Sequence, residues 1–113
     1  MKRILFLALV ATAGAIAATT GVKAASRTVQ CWVTDVGAYP CTFTPLYRDG
    51  SFKISARGRD TYIVEMTGSG TAHVFLQIRG QGRNISLPGT YYRDRADRAC
   101  WANYDPAFRI CAR

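Results

Sequence analysis

The sequence has one histidine, no CxxC pair, and no GxSxG, HExxH or calcium-loop spacing anywhere in its 113 residues. Each absence removes a class of chemistry. Without CxxC there is neither a redox dithiol nor a zinc knuckle. His73 falls on a strand face shared with Phe75 and Gln77 and reads as an ordinary half-exposed residue, with no nucleophile motif to serve. The acidic residues, Asp35, Asp49, Asp60, Glu65, Asp94, Asp97 and Asp105, mostly sit beside Gly, Arg or Pro. That is the setting of turn-forming Asp, not of a paired general acid and base. Gly80-Gln81-Gly82-Arg83-Asn84 links two strands and opens no helix, so it is not a phosphate loop. The sequence therefore predicts no catalysis, no metal and no cofactor.

Long apolar runs are also scarce, and the one present is at the start. Lys2 and Arg3 precede an uncharged apolar stretch from Ile4 to Ala18, and Val22-Lys23-Ala24 comes next as a cleavage site. This is the order of a bacterial export signal, expected to be cleaved after Ala24. The apolar stretch is short and rich in Ala and Gly for a membrane span. The remaining chain, residues 25–113, is 89 residues long and reads as a single domain near the lower size limit for a self-sufficient core.

Lysine is nearly missing from that domain: Lys53 stands beside eleven arginines. Without Lys2, Arg3 and Lys23 the 15 basic residues fall to 12 against 7 acidic ones, leaving a net charge of +5. Export and the want of an aromatic nucleic-acid stripe argue against nucleic acid as the partner. No basic amphipathic helix can be drawn for a membrane surface. Arginine in place of lysine suits carboxylate, sulfate or phosphate groups, which the planar guanidinium fork grips with two hydrogen bonds.

Four cysteines, Cys31, Cys41, Cys100 and Cys111, read as two disulfides in an exported chain. Local pairing, Cys31–Cys41 with Cys100–Cys111, closes two loops that each look like a strand, a turn and a returning strand. A nested pairing, Cys31–Cys111 with Cys41–Cys100, is the alternative, and the local one is preferred. Both loops begin Cys-Trp, and Trp32 and Trp101 are each expected to pack over a bridge.

No 3.6-residue stripe occurs in residues 25–113, whereas period two is frequent. Phe52, Ile54 and Ala56 alternate with Ser51, Lys53 and Ser55; Tyr62, Val64 and Met66 alternate with Ile63 and Glu65. Ala72, Val74, Leu76 and Ile78 come after them, then Ile85 and Leu87, with glycine-bearing turns at Gly58, Gly68–Gly70 and Gly80–Gly82. The stretch 51–87 is thus a four-stranded antiparallel meander. With the flanking strands it predicts an all-β fold, a small antiparallel sandwich or partly open barrel of about seven short strands.

In a meander, alternate turns share an end of the sheet. The Gly58 and Gly80–Gly82 turns therefore bring Arg57, Arg59, Arg79 and Arg83 to one rim, with Asp60 as the nearby acid. Tyr91 and Tyr92 add candidate aromatic contacts. The run Arg93-Asp94-Arg95-Ala96-Asp97-Arg98 reads as a loop neutralised by its own ion pairs. The expectation is a non-catalytic module binding an anionic glycan or similar envelope polymer on the arginine rim. The alternative is an inhibitor of a secreted hydrolase, a protein target entered by a projecting loop such as 93–98.

Overall fold

The computed structural model describes residues 25–113, so the export-signal reading of residues 1–24 lies outside the described residues. The described chain is all-β and antiparallel. Its strands are β1 (Arg27–Val33), β2 (Gly37–Pro45), β3 (Phe52–Ser55), β4 (Thr61–Gly68), β5 (Thr71–Gln77), β6 (Ile85–Ser86), β7 (Tyr91–Arg93), β8 (Cys100–Tyr104) and β9 (Ala107–Ala112). Neighbouring strands pair around the sheet, and β9 returns to β1 through Cys31↔Ala112, Trp32↔Cys111 and Val33↔Ile110. The first and last strands thus close the sheet into an eight-stranded barrel, which leaves no long edge to pair with another chain. The barrel alternative holds, and it is closed.

The ninth strand is β6. It pairs with the C-terminal half of β5 (Leu76↔Ile85, Phe75↔Ser86), while β7 pairs with the N-terminal half (Ala72↔Tyr91, Thr71↔Tyr92). The two make one interrupted strand, broken at 87–90. Gly89 explains the break: its φ is +85°, and a Cβ there would sit 3.0 Å from the Asn103 carboxamide carbon. Asn103 is buried and donates from Nδ2 to the Pro88 carbonyl at 2.8 Å, which ties the irregular segment to β8.

The period-two faces read from the sequence are the inward faces. Phe52, Ile54, Tyr62, Val64, Ala72 and Val74 are buried in one cluster with Val33, Tyr39, Tyr91, Trp101 and Ile110. Eight strands enclose a space that side chains can just fill, and here three tyrosines, a tryptophan and a phenylalanine fill it. Burial keeps the phenols protonated: it raises Tyr39 and Tyr91 above the ordinary 10.0 and pushes Tyr62 up to about 12.

Pairing of the cysteines is local, Cys31–Cys41 within the β1–β2 hairpin and Cys100–Cys111 within the β8–β9 hairpin. The two bridges lie on opposite sides of the barrel wall. Cys31 and Cys41 belong to the inner cluster, whereas Cys100 and Cys111 face each other on the outside. Because successive strand residues alternate sides, the two Cys-Trp pairs are turned in opposite senses. Trp101 points inward and is 4% exposed; Trp32 points outward and is 39% exposed, opposite Cys111 in the register. The expectation of burial holds for Trp101 and is corrected for Trp32. Each indole shares its side of the wall with the bridge from the other hairpin.

Candidate functional site: the two ends of the barrel

The meander gives the barrel a distal end, carrying the turns 34–36, 56–60, 78–84 and 105–106, and a proximal end where β1 starts and β9 finishes. Arg57, Arg59, Arg79 and Arg83 are all at the distal end, as the alternation of turns requires. Closure brings two further turns there, with Asp35 and Asp105. Four arginines therefore meet three aspartates, and the net positive charge is smaller than the open meander implied.

Two of those arginines are engaged locally. The Arg59 guanidinium lies 4.7 Å from the centre of the Tyr39 ring, and Arg79 donates from Nη1 to the Gly58 carbonyl at 3.2 Å. Asp60 accepts the Arg79 backbone N–H at 2.8 Å. Together they rim a mouth of about 290 Å³ whose floor includes Tyr39 and Tyr62. Arg57 and Arg83 lie in their turns outside that mouth.

Tyr91 and Tyr92 belong to β7, at the proximal end, so they do not join the distal rim. Tyr91 is 1% exposed inside the barrel and is corrected from ligand contact to core residue. Its neighbour Tyr92 points outward, 50% exposed. Tyr92 opposes Ala102 in the β7–β8 register, and Tyr104, 69% exposed, is two residues further along β8 on the same face. Diagonal neighbours of this kind are spaced about 7–8 Å apart. Tyr104 is a residue that sequence reasoning does not single out. The alternation in Cys100-Trp101-Ala102-Asn103-Tyr104 carries its outward direction, but its place beside Tyr92 is a long-range register.

The loop 94–99 is the second wall of this site. Asp94 Oδ1 accepts the Ala96 N–H at 2.8 Å and Asp97 Oδ1 the Ala99 N–H at 3.2 Å, so each aspartate shapes the loop locally. Their remaining capacity goes to Arg109 in β9 and to Arg113 just after it rather than to the neighbouring arginines. Asp94 Oδ2 pairs with Arg109 at 2.7 Å, and Asp97 receives both terminal nitrogens of Arg113, at 3.0 and 2.5 Å. These bonds hold both carboxyls below their ordinary 3.8, the Ala96 N–H leading for Asp94 and Arg113 for Asp97. The loop is thereby tied to Arg109 and Arg113, and the Cys100–Cys111 bridge, beside Trp32, Asp97, Arg109 and Arg113, is buried.

The reading of 93–98 as self-neutralised is therefore corrected. Among the described residues, Arg93, Arg95 and Arg98 form no ion pair. Arg93 donates from Nε to the Arg98 carbonyl at 2.9 Å and lies 5.4 Å from the Trp101 ring centre, which fixes its direction. Arg93, Arg95, Arg98, Tyr92 and Tyr104 surround a groove of about 670 Å³, with Ser69–Thr71 opposite and the satisfied Asp94 in its wall. Arg27, Arg48 and Arg113 are at the same end, with Asp49 as its third aspartate. Six arginines to three aspartates make the proximal end the more cationic one.

His73 bridges to Ser86, Nε2 to Oγ at 2.6 Å, and its ring centre is 4.8 Å from that of Phe75 on the outer face. It ties β6 to β5. Among the described residues, no three His, Cys, Asp or Glu side chains converge as a metal site. Two disulfides in a domain of this size are compatible with an exported protein. Comparison with protein-family models, with curated proteins and with solved structures found no match.

Proposed function

We propose that this protein is a non-catalytic binding barrel of the bacterial periplasm or cell exterior. Its ligand is an anionic polymer, held at the proximal end and not on the distal rim. One observation carries the reading: Arg93, Arg95 and Arg98, whose neighbouring carboxylates are taken by Arg109 and Arg113, line one groove together, whereas of the distal arginines only Arg59 and Arg79 line a smaller mouth. Unpaired guanidinium groups on a rigid wall attract anions at range and grip them through paired N–H donors. The filled interior supports a surface site over an internal one. The strapped loop supports ligand binding over insertion into an enzyme cleft, because both its aspartates are tied back to Arg109 and Arg113.

The test is retention on immobilised polyanions, both carboxylated and sulfated, as a function of salt. Arg95→Gln with Arg98→Gln is expected to weaken retention about tenfold in affinity. Arg57→Gln with Arg83→Gln is expected to change it little, and binding should fall as salt screens the charges. Loss confined to the distal pair would move the site back to the rim.

A further inference from the structure

The groove holds more than cationic charge. Its Tyr92 and Tyr104 expose half or more of their surface, as Tyr47 does outside the groove, whereas the three inward tyrosines are buried. They stand diagonally across the β7–β8 pair, with Ala102 between them. Ala102 is only 3% exposed although it faces outward, opposite Arg109 in the β8–β9 register. The two phenols are thus exposed on paired β-strands and line the same groove as Arg95 and Arg98.

We infer that this groove takes a glycan chain of carboxylate-bearing pyranose rings, a polyuronate, with rings lying on Tyr92 and Tyr104 and carboxylates paired to Arg95 and Arg98. The inference rests on the proposed anion-binding function and names its ligand class. A pyranose ring has an apolar C–H face and a polar rim, and that is what an exposed phenol can cover on one side while its hydroxyl stays wet. A carboxylate on the ring is planar and matches the guanidinium fork. Polyphosphate would satisfy the arginines, but it has no apolar face for either tyrosine. An acidic peptide would present carboxylates on flexible stems, and its backbone would look for a strand edge, which the barrel offers only at the two-residue β6 and the break after it. The groove's volume, about 670 Å³, is within the usual range for a bound small ligand and so suits a short stretch of such a chain.

Calorimetric titration with four probes tests this: a galacturonic acid oligomer, a glucose oligomer of equal length, polyphosphate and poly-glutamate. The inference predicts that the uronate oligomer binds tightest and that the neutral oligomer does not bind measurably. Tyr92→Leu and Tyr104→Leu should each weaken uronate binding about tenfold. Tyr92→Phe should keep it within about twofold, and none of the three should alter polyphosphate binding. Both tyrosines are exposed on the outside, and near-ultraviolet circular dichroism of each variant confirms that the core is intact. If polyphosphate or poly-glutamate binds as tightly as uronate, or the leucine variants bind uronate normally, the ligand class is wrong and the anion-binding function stands. If no anionic probe binds, or Arg95→Gln and Arg98→Gln change nothing, the function itself fails.

Discussion

Trp32 and Trp101 each come directly after a cysteine, yet one is outside the barrel and the other inside. The difference has an optical consequence. Iodide or acrylamide should quench Trp32 strongly and Trp101 weakly, and Trp32→Phe should leave a protected emission with little quenching. Equal quenching of both indoles would contradict their opposed facing. The core tyrosines make a second residue-scale expectation. Tyr62 is pushed up to about 12 by burial, with Tyr39 and Tyr91 raised in the same direction. Unfolded phenols ionise near 10.0, so above that pH the unfolded chain sheds protons that the barrel retains. Stability is complete below about pH 10 and is lost as the pH rises towards the folded values. Phenolate absorbance tracked alongside unfolding should show these tyrosines ionising late, together with loss of structure. Gly89 is the most exacting single position. Gly89→Ala combines a positive φ with a collision at Asn103, and urea unfolding should register a loss of roughly 1–3 kcal/mol or more.

Among the elements, the loop 94–99 carries the largest departure from what the sequence suggested. Its arginines and aspartates alternate, and local pairing is the natural reading of alternating charge. The β8–β9 hairpin overrides it, because it sets β9 beside β8 and brings Arg109 and Arg113 to the loop's aspartates. The meander of 51–87 was legible because period-two alternation and glycine turns are local signals. The outer shelf was not, since Tyr92 and Tyr104 become neighbours only through the β7–β8 register. The loop's ion pairs also set an acid limit. Asp94 and Asp97 ionise below their ordinary 3.8 when folded, so their contribution is complete above that pH and is lost as the pH falls through the lower folded values. Amide exchange at Ala96 and Ala99, taken relative to its intrinsic rate at each pH, should therefore become faster as the pH falls below the ordinary 3.8. Asp97→Asn should bring the faster exchange to neutral pH; an unchanged rate in that variant would show that the strap does not hold the loop. Replacing both Cys100 and Cys111 by Ala should cost about 2–3 kcal/mol in unfolding experiments. It should also free the loop's base and weaken ligand binding with it.

At the scale of the molecule, barrel closure decides where the charge lies. An open meander places Arg57, Arg59, Arg79 and Arg83 on one rim, and that placement is correct. What a partial topology leaves out is the company they keep: Asp35 and Asp105 arrive with turns whose position depends on β9 pairing with β1. The same closure gathers Arg27, Arg48 and Arg113 with the 93–98 arginines at the opposite end. The barrel is thus polarised along its axis, and its wider groove runs from the more cationic end, at Arg95 and Arg98, past Tyr92 to Tyr104 beside the 105–106 turn. The most direct measurement is a map of backbone amide shifts on titrating the labelled protein with a galacturonic acid oligomer. The account predicts shifts at Thr71, Tyr92, Arg95, Arg98 and Tyr104, diminishing with added salt. Shifts concentrated at residues 57–60 and 79–83, with the proximal end silent, would contradict it.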